Sequence, residues 1–240
     1  MRRINPVVAA AVMIAAALVL GTCSAPRSAL RQPDPQVVQS VTTGIVSRQD
    51  TIRVSFTQPV AEGEIGATLA RSPFRFVPRI RGAARWIDDR TLEFASDTEL
   101  PAGRRVRASL DIPKLAAFDF AFTVIAPSYT VDVGQLETAD DAGTYRLPGA
   151  IRTADREESA KVESILSARL ASGAAAPLPV TWSHDEAGRE HSFTITGIAR
   201  AAEPGSLALA WSGRPIGAKT AGRLAVAVPS LGTFAVLGAR

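Results

Sequence analysis

SPFRFVPRIRGAARWIDDRTLEFASDTELPAGRRVRASLDIPKL, residues 72–115, is the stretch that decides the fold. Apolar and polar residues alternate on both sides of Asp88 and Asp89, a period-two pattern typical of strands that bury one face. The acidic pair lies between two such runs and predicts the turn of a β-hairpin. A second turn is predicted at residues 101–103, Pro-Ala-Gly, before the chain returns as another strand. No helical period interrupts these strands, which indicates an antiparallel arrangement.

The same alternation continues on both sides of this stretch. Ile52, Val54 and Phe56 share one face of a preceding strand, and FDFAFTVIAP, residues 118–127, supplies a last one. Short strands joined by turns, without helices between them, are typical of an antiparallel β-sandwich. We therefore predict a first sandwich domain over residues 37–126.

A second set of strands follows over residues 127–240 and predicts a second sandwich domain. One segment in it differs from the rest, because apolar residues recur at helical spacing from Val162 onward. Thr153 or Asp155 is placed to cap this helix, and acidic residues suit its first turn. The sequence therefore predicts one α-helix near residues 155–171, lying on an otherwise all-β domain.

Each half of the chain contains its own ordered set of motif residues. The first half contains Pro-Phe-x-Phe, a glycine before an aromatic residue, Thr-Leu-x-Phe and Leu-Pro-Ala-Gly. Its matching residues are Pro73, Phe74, Phe76, Pro78, Gly82, Trp86, Thr91, Leu92, Phe94, Leu100, Pro101 and Gly103. Those of the second half are Leu147, Gly149, Ile151, Thr153, Asp155, Trp182, His184, Phe193, Ile195, Gly197, Ile198, Arg200, Leu209, Trp211, Gly213, Pro215, Ile216 and Gly217. This order resembles the first two macroglobulin-type domains of bacterial alpha-2-macroglobulins, and it covers nearly all of residues 37–240. The resemblance implies two macroglobulin or Ig-like β-sandwiches in tandem.

The amino terminus has the features of an export signal. Arg2 and Arg3 precede an uninterrupted apolar run, residues 7–20, which is as long as a signal-peptide core and too short to span a bilayer. The run leads into Leu-Gly-Thr-Cys, residues 20–23, which resembles the bacterial lipobox, with threonine as a less usual residue before the cysteine. We predict that residues 1–22 form a lipoprotein signal peptide.

Cys23 is the only cysteine of the chain, so it cannot form an internal disulfide. The lipobox resemblance implies that it is acylated and anchors the mature chain to a membrane. The alternative is an inert cysteine in an ordinary signal peptide. Residues 23–36 are rich in proline and predict a flexible linker. Ser24 resembles the residue found in lipoproteins sent to the outer membrane, so we expect a lipid-anchored envelope protein on the periplasmic face, at the outer membrane rather than the inner.

The charge of the chain gives little support to nucleic-acid binding. Lysine and arginine total 27 against 23 acidic residues, a net charge of +4, and only Lys114, Lys161 and Lys219 are lysines. No cluster of arginines is interleaved with aromatic residues, as a groove for a nucleic-acid strand requires. We therefore expect no nucleic-acid partner.

Two groups of residues are candidates for chemistry. Asp88 and Asp89 are neighbours at a hairpin tip, so their carboxylates diverge into solvent rather than converge as acid and base. His184 and His191 flank a predicted hairpin turn, where their imidazoles could lie across from each other, but two ligands hold a metal weakly and a solvated turn is favoured. No motif of a hydrolase, phosphate loop or zinc protease occurs. We expect no catalytic residue, no cofactor and no metal site, and hence no enzyme.

The resemblance carries the functional expectation. It implies the membrane-anchored amino-terminal scaffold of a periplasmic protease trap that meets foreign proteases through the complete protein. The bait segment and the Cys-x-Glu-Gln thioester motif of such traps do not occur in these 240 residues. The chain is therefore expected to be either a piece of a longer protein or a shortened relative. The alternative from another class is a stand-alone envelope lipoprotein whose sandwiches bind a partner, such as a cell-wall synthesis protein.

Overall fold

The computed structural model describes residues 30–139, 143–171 and 176–232. Cys23, the predicted signal peptide and the last eight residues of the predicted second domain lie outside the described residues. The described chain is all-β apart from one short α-helix and one 3-10 turn, and it forms two β-sandwiches in tandem, which confirms the predicted fold class.

The first sandwich consists of two four-stranded sheets. Its strands are β1 (Val38–Val41), β2 (Gly44–Val46), β3 (Ile52–Phe56), β4 (Phe74–Val77), β5 (Gly82–Trp86), β6 (Thr91–Ser96), β7 (Arg105–Leu110) and β8 (Phe118–Val124). The sheet orders are β1-β3-β6-β5 and β2-β8-β7-β4. Alternate residues of each strand point between the sheets, so that Ile52, Val54 and Phe56 are fully buried.

Two details of this sandwich test the predictions from the sequence. The hairpin around Asp88 and Asp89 is confirmed, because β5 and β6 pair antiparallel with Trp86 opposite Leu92. The pairing of β2 with β8 is parallel, however, whereas every other strand pair described is antiparallel. A strand of three residues that lies far in sequence from its partner carries no signal of its direction.

The second sandwich pairs a five-stranded sheet with a three-stranded one. Its elements are β9 (Tyr129–Val133), β10 (Glu137–Thr138), β11 (Thr144–Thr153), α1 (Ser159–Glu163), β12 (Leu166–Leu170), β13 (Val180–His184), β14 (Glu190–Ala199), β15 (Gly205–Ser212), a 3-10 turn (Arg214–Ile216) and β16 (Ala221–Val228). The larger sheet has the order β10-β11-β14-β13, with β9 also paired to β11, and the smaller has the order β12-β15-β16. The buried apolar residues of the two sandwiches form two clusters without a common member.

The helix predicted near residues 155–171 is wrong in extent. Only Ser159–Glu163 is α-helical, and the chain continues as β12, which pairs antiparallel with β15. Leu166 and Ala168 are buried at alternate positions, so the apolar residues that suggested a helical stripe also satisfy the period of a strand. Burial against the facing sheet decided between the two periods.

The predicted helix caps are wrong as well. Thr153 ends β11, and the residue before the helix is Glu158, whose side chain makes no cap hydrogen bond. Asp155 instead accepts hydrogen bonds from Arg48 of the first sandwich. The segment that looked like a capped helix start therefore supplies a contact between the sandwiches.

The linker predicted over residues 23–36 ends earlier than expected. The backbone N–H of Arg31 donates to the carboxylate of Asp119 at 3.0 Å, and its carbonyl accepts from the Asp119 N–H at 2.8 Å. The Arg31 guanidinium also pairs with this carboxylate. Because the two residues lie far apart in sequence, only the folded structure reveals that Arg31 is fixed on β8.

None of the helices found in the described residues has the length and apolar character needed to cross a bilayer.

Candidate functional site

The two sandwiches meet at a cluster of ionic side chains centred on Arg48, in the loop between β2 and β3. Its Nε donates to Asp155 Oδ2 at 3.1 Å, one terminal nitrogen to Glu157 Oε1 at 2.5 Å, and the other to Glu99 Oε2 at 3.2 Å. The Arg48 side chain is only 8% exposed, and those of Asp155 and Glu157 are buried to a similar degree. We call these four residues the Arg48 junction.

Backbone groups complete the Arg48 junction. The Arg48 N–H donates to Asp155 Oδ2 at 2.9 Å, so one carboxylate oxygen accepts from both the backbone and the side chain of the same arginine. The Arg48 carbonyl accepts from the Leu100 N–H at 2.7 Å. Charge-assisted bonds with fixed geometry of this kind are the strong ones. Both sandwiches belong to one compact unit.

The electrostatics of the Arg48 junction are uneven, because three carboxylates surround one guanidinium. Burial disfavours the charged form of Asp155, but hydrogen bonds from Ser47 and from Arg48 outweigh it and hold the pKa of this carboxyl below its usual value. Burial raises the pKa of Glu157, and the charges of Glu99 and Asp155 add to this while Arg48 opposes it. Glu157 is therefore more easily protonated than Asp155.

The turn between β13 and β14 supports the segment that carries Asp155 and Glu157. The Glu157 N–H donates to the Gly188 carbonyl at 2.9 Å, and the Arg189 guanidinium donates to the Ala154 carbonyl at 2.6 Å. Gly188 has a φ of +63°, and a Cβ there would lie 3.2 Å from the Glu157 carbonyl oxygen. The turn therefore packs closely under the junction only with glycine at this position.

His184 and His191 lie opposite each other in the β13–β14 hairpin, with their Nδ1 atoms 2.8 Å apart. His184 Nε2 contacts Glu163 Oε1 of α1 at 3.1 Å. The two imidazoles lie opposite each other, as predicted. The turn residues Asp185, Glu186 and Ala187 are exposed, as expected of a solvated turn, but His191 is 0% exposed. Its side chain points between the sheets, at an alternate position of β14 that also buries Phe193.

The hydrogen bonds of the histidine pair fix where its protons lie. A carboxylate only accepts, so His184 Nε2 carries the hydrogen that Glu163 receives. In neutral His184 the Nδ1 is then the acceptor, and the His191 Nδ1–H donates to it. His191 Nε2 is buried without a hydrogen-bond partner among the described residues. Burial first, and the nearby charge of His184 second, hold the pKa of His191 below its usual value.

The remaining sequence candidates are not brought into a site. Asp88 Oδ1 accepts from the Arg90 N–H at 2.8 Å within the β5–β6 turn, and the Asp89 carbonyl accepts from two backbone N–H groups of residues 60–61. The Asp88 carboxylate therefore stabilises the turn, whereas Asp89 connects the turn to the segment after β3 through its backbone carbonyl. Across the described ranges no cluster of three or more His, Cys, Asp or Glu side chains is arranged to hold a metal ion.

Arg48 could not be identified from the sequence, because its partners lie 51 to 109 residues away and no local motif indicates these contacts. The sequence signal that existed was the acidic pair Asp155 and Glu157 before α1, which is equally typical of a helix start. Only the packing of one sandwich on the other shows that these acids pair with Arg48 and do not cap a helix.

An open groove of about 510 Å³ lies on the second sandwich beside Trp211, between α1 and the start of β16. The indole of Trp211 lies on the backbone of Gly222, where a Cβ would come within 2.5 Å of the ring. Ser164, Ser167 and Arg223 supply polar groups to the groove. The groove is shallow, and its lining combines these polar groups with the apolar side chains of Ile165 and Trp211.

No protein-family model matches the chain, and no curated protein sequence matches it. Among solved structures it is similar to L,D-transpeptidase 3 from Mycobacterium tuberculosis in complex with a faropenem-derived adduct, at 15% identity and a TM-score of 0.28, over 62% of this chain and 58% of that chain. The chain thus aligns to little more than half of that enzyme's length.

Two further structures are similar at the same level. An L,D-transpeptidase from Mycobacterium tuberculosis H37Rv is 14% identical with a TM-score of 0.31, over 64% of this chain and 71% of that chain. Bovine butyrophilin is 10% identical with a TM-score of 0.32, over 82% of this chain and 97% of that chain. Scores this low carry no argument about activity, ligand or partner.

Proposed function

We propose that this chain is the lipid-anchored amino-terminal scaffold of a bacterial alpha-2-macroglobulin-like protease inhibitor. In this proposal Cys23 attaches the chain to the membrane at the periplasmic face, the two sandwiches position further domains, and foreign proteases meet the complete protein. The resemblance of residues 72–115 to the first macroglobulin-type domain motivates the proposal. The Arg48 junction is the observation that carries it.

A scaffold needs its modules held in a fixed relation, and the Arg48 junction supplies such a connection. The buried Arg48 guanidinium donates to three carboxylates at fixed positions, and charge-assisted bonds of this kind add geometric specificity. A chain whose sandwiches only bound separate ligands would have no need of it. The Arg48 junction therefore supports a scaffold in which the two sandwiches keep one relative arrangement.

A scaffold role also fits the chemistry of the polar residues. In the described part of the chain, His184 and His191 bond to each other and to Glu163, and neither bonds a serine or threonine hydroxyl. A nucleophile activated by a base requires such a contact. We infer that neither histidine activates a serine or threonine nucleophile in this chain.

The second candidate function is a stand-alone envelope lipoprotein that binds a partner, such as a cell-wall synthesis protein. The groove beside Trp211 favours this alternative, because a half-exposed indole with neighbouring hydroxyl groups and Arg223 offers both apolar and polar contacts. The two candidates differ in whether the native polypeptide continues beyond residue 240.

The test is made on the native polypeptide in the bacterium that produces it. An antibody raised against the two sandwiches is used to find the length of the polypeptide that carries them, before and after a protease is added to the cells. The scaffold proposal predicts a polypeptide several times longer than 240 residues, and a higher-mass conjugate with protease if the longer protein contains a thioester. A polypeptide that ends at residue 240 would overturn it and favour the binding module.

A further inference from the structure

The outer face of the β2-β8-β7-β4 sheet is unusually rich in arginine. Side chains at alternate positions of these strands point away from the sandwich core, and those of neighbouring strands lie side by side. Together with Arg31, which is fixed on β8, they form a surface that we call the arginine face. It is defined by Arg31, Arg75, Arg105, Arg107, Ile45 and Val77.

The arginine face has a surplus of positive charge. The four strands contain one carboxylate, Asp119, against three arginines, and Arg31 makes a fourth, which leaves three positive charges in excess. Asp119 is 3% exposed and is held by Arg31 and Arg107, so it offsets neither Arg75 nor Arg105. Neither of those two arginines pairs with a carboxylate anywhere in the described ranges.

Arginines on two other outer faces pair with carboxylates. Arg53 and Arg85 of the opposite sheet both pair with Glu93, at 2.8 Å each. On the β11 sheet of the second sandwich, Arg146 pairs with Glu137 at 3.0 Å, and Arg152 pairs with two carboxylates. The lack of carboxylate partners therefore distinguishes Arg75 and Arg105 from the arginines of these other faces.

Two large apolar side chains stand on the same surface. Ile45 is 74% exposed on the edge strand β2, and Val77 is 69% exposed on the opposite edge strand β4. Unpaired cations between exposed apolar side chains match the chemistry of a membrane interface, where phosphates attract the cations and the apolar groups enter between headgroups.

Few residues of sequence separate this face from the predicted lipid attachment site. Cys23, the predicted lipid attachment site, precedes Arg31 by eight residues. An extended residue spans at most about 3.6 Å, so Arg31 lies within about 30 Å of the anchored cysteine. This step rests on the lipid anchor of the proposed function, whereas the charge and exposure of the face do not.

We propose that the arginine face docks on a membrane surface containing anionic phospholipids. The headgroup phosphates bind Arg75 and Arg105, and Ile45 and Val77 enter the interface at the two edges of the sheet. The first sandwich then lies with this sheet against the bilayer.

The experiment uses the Cys23→Ala chain made without residues 1–22, so that no lipid anchor contributes. Its partitioning is measured by co-sedimentation with vesicles of phosphatidylcholine alone and of phosphatidylcholine with an equal part of phosphatidylglycerol. We expect binding to the anionic vesicles only, weakened by added salt. Arg75→Gln with Arg105→Gln should lower partitioning about 25-fold, since each arginine near an anionic surface contributes a factor of about five.

Two matched variants make the outcome decisive. Arg169→Gln with Arg214→Gln removes the same charge from exposed arginines of the second sandwich, on β12 and in the 3-10 turn, and should change partitioning less than about threefold. Arg75→Lys with Arg105→Lys keeps the charge and should retain binding. Equal losses in both glutamine variants would show attraction by net charge alone and overturn the proposal. Equal binding to neutral vesicles, or displacement by inorganic phosphate at low concentration, would also overturn it.

Because the chain used has no anchor, this result is independent of whether Cys23 is acylated. If the unaltered chain carries no lipid anchor in cells while the anchor-free chain still binds anionic vesicles, only the lipoprotein part of the proposed function is contradicted. Intact anchoring without vesicle binding would contradict the arginine face alone.

Discussion

Arg48 and Asp155 lie 107 residues apart in sequence, yet the backbone N–H and the guanidinium of Arg48 donate to the same oxygen, Asp155 Oδ2. The contact joins a loop of the first sandwich to the segment before α1 in the second. Breaking a buried ion pair by removing one partner leaves the other charge without compensation, which is the most damaging way to alter it.

Replacing Arg48 by alanine is therefore expected to destabilise the chain by about 3–5 kcal/mol, because Asp155 and Glu157 remain buried without their cation. Arg48→Lys should lose less, since it keeps the charge but not the forked geometry. Urea unfolding followed by tryptophan fluorescence measures both. The matched control is Arg90→Ala, where a half-exposed arginine pairs with Asp89 at 3.7 Å and about 0.5 kcal/mol or less is expected. Equal effects at both positions would contradict the importance of the Arg48 junction.

The histidine pair predicts a loss of stability in mild acid. The pKa of His191 in the folded chain lies below its ordinary value of 6.5, so the unfolded chain binds a proton first. Stability is therefore complete above about pH 6.5 and falls as the pH drops below it, until the lowered folded-state pKa is reached. Thermal unfolding between pH 7 and pH 5 measures this decline.

His191→Leu is the variant that isolates this effect, because leucine is apolar and fills a similar volume in the buried site. The decline between pH 7 and pH 5 should become smaller in it. His184→Gln serves as the comparison, since it keeps the buried imidazole of His191 and should keep most of the decline. An unchanged slope in His191→Leu would show that other groups cause the acid sensitivity.

The hairpins of both sandwiches could be predicted from the sequence, because hairpins are local. The β5–β6 turn at Asp88 and the opposition of His184 and His191 both follow from a turn signal and a period of two, which set the register. The extent of α1 could not be predicted, since Val162, Ile165 and Leu166 satisfy helical spacing while Leu166 also begins a strand. The Arg48 junction and the arginine face arise from contacts between distant residues, and no short motif encodes them.

Asp119 predicts a second acid transition at lower pH. Burial opposes its ionisation, but hydrogen bonds from Ser109, Arg31 and Arg107 hold its pKa well below the ordinary 3.8. Its contribution is present above about pH 3.8 and is lost as the pH falls further. Asp119→Ala should reduce the free energy of unfolding at pH 7 by about 1–3 kcal/mol, since its arginine partners are partly exposed and become hydrated.

Asp119→Ala should also expose the backbone at Arg31 and accelerate trypsin cleavage after this residue, which mass spectrometry of the fragments detects. Asp132→Ala is the control, because Asp132 pairs with Arg152 on an exposed face. Its effect on stability should be within about 0.5 kcal/mol. Unchanged cleavage after Arg31 in Asp119→Ala would contradict the role of Asp119 in fixing the start of the sandwich.

Cys23→Ala is expected to remove the membrane tether. If Cys23 is acylated, the variant should take up no labelled fatty acid in cells and should leave the lipid-anchored fraction, whereas Ser24→Ala should be labelled normally. Metabolic labelling followed by immunoprecipitation measures both variants. Undiminished labelling of Cys23→Ala would show that the lipid is attached at another residue, and it would contradict the predicted acylation of Cys23.

The isolated chain is expected to have no inhibitory chemistry of its own. Among its described residues the histidines bond to each other and to Glu163, and its one cysteine, Cys23, is the proposed site of lipid attachment. Without a second thiol or a base-activated nucleophile, the chain should neither hydrolyse peptides nor form a covalent adduct with an added protease.

The measurement incubates the chain from Cys23 with serine, cysteine and metalloproteases. Residual activity on a large protein substrate and conjugates under denaturing conditions are then recorded. Full residual activity and no conjugate are expected, because a scaffold positions other domains. Stoichiometric protection of the large substrate would show that these two sandwiches inhibit by themselves, and the scaffold proposal would then be replaced by direct binding of the protease.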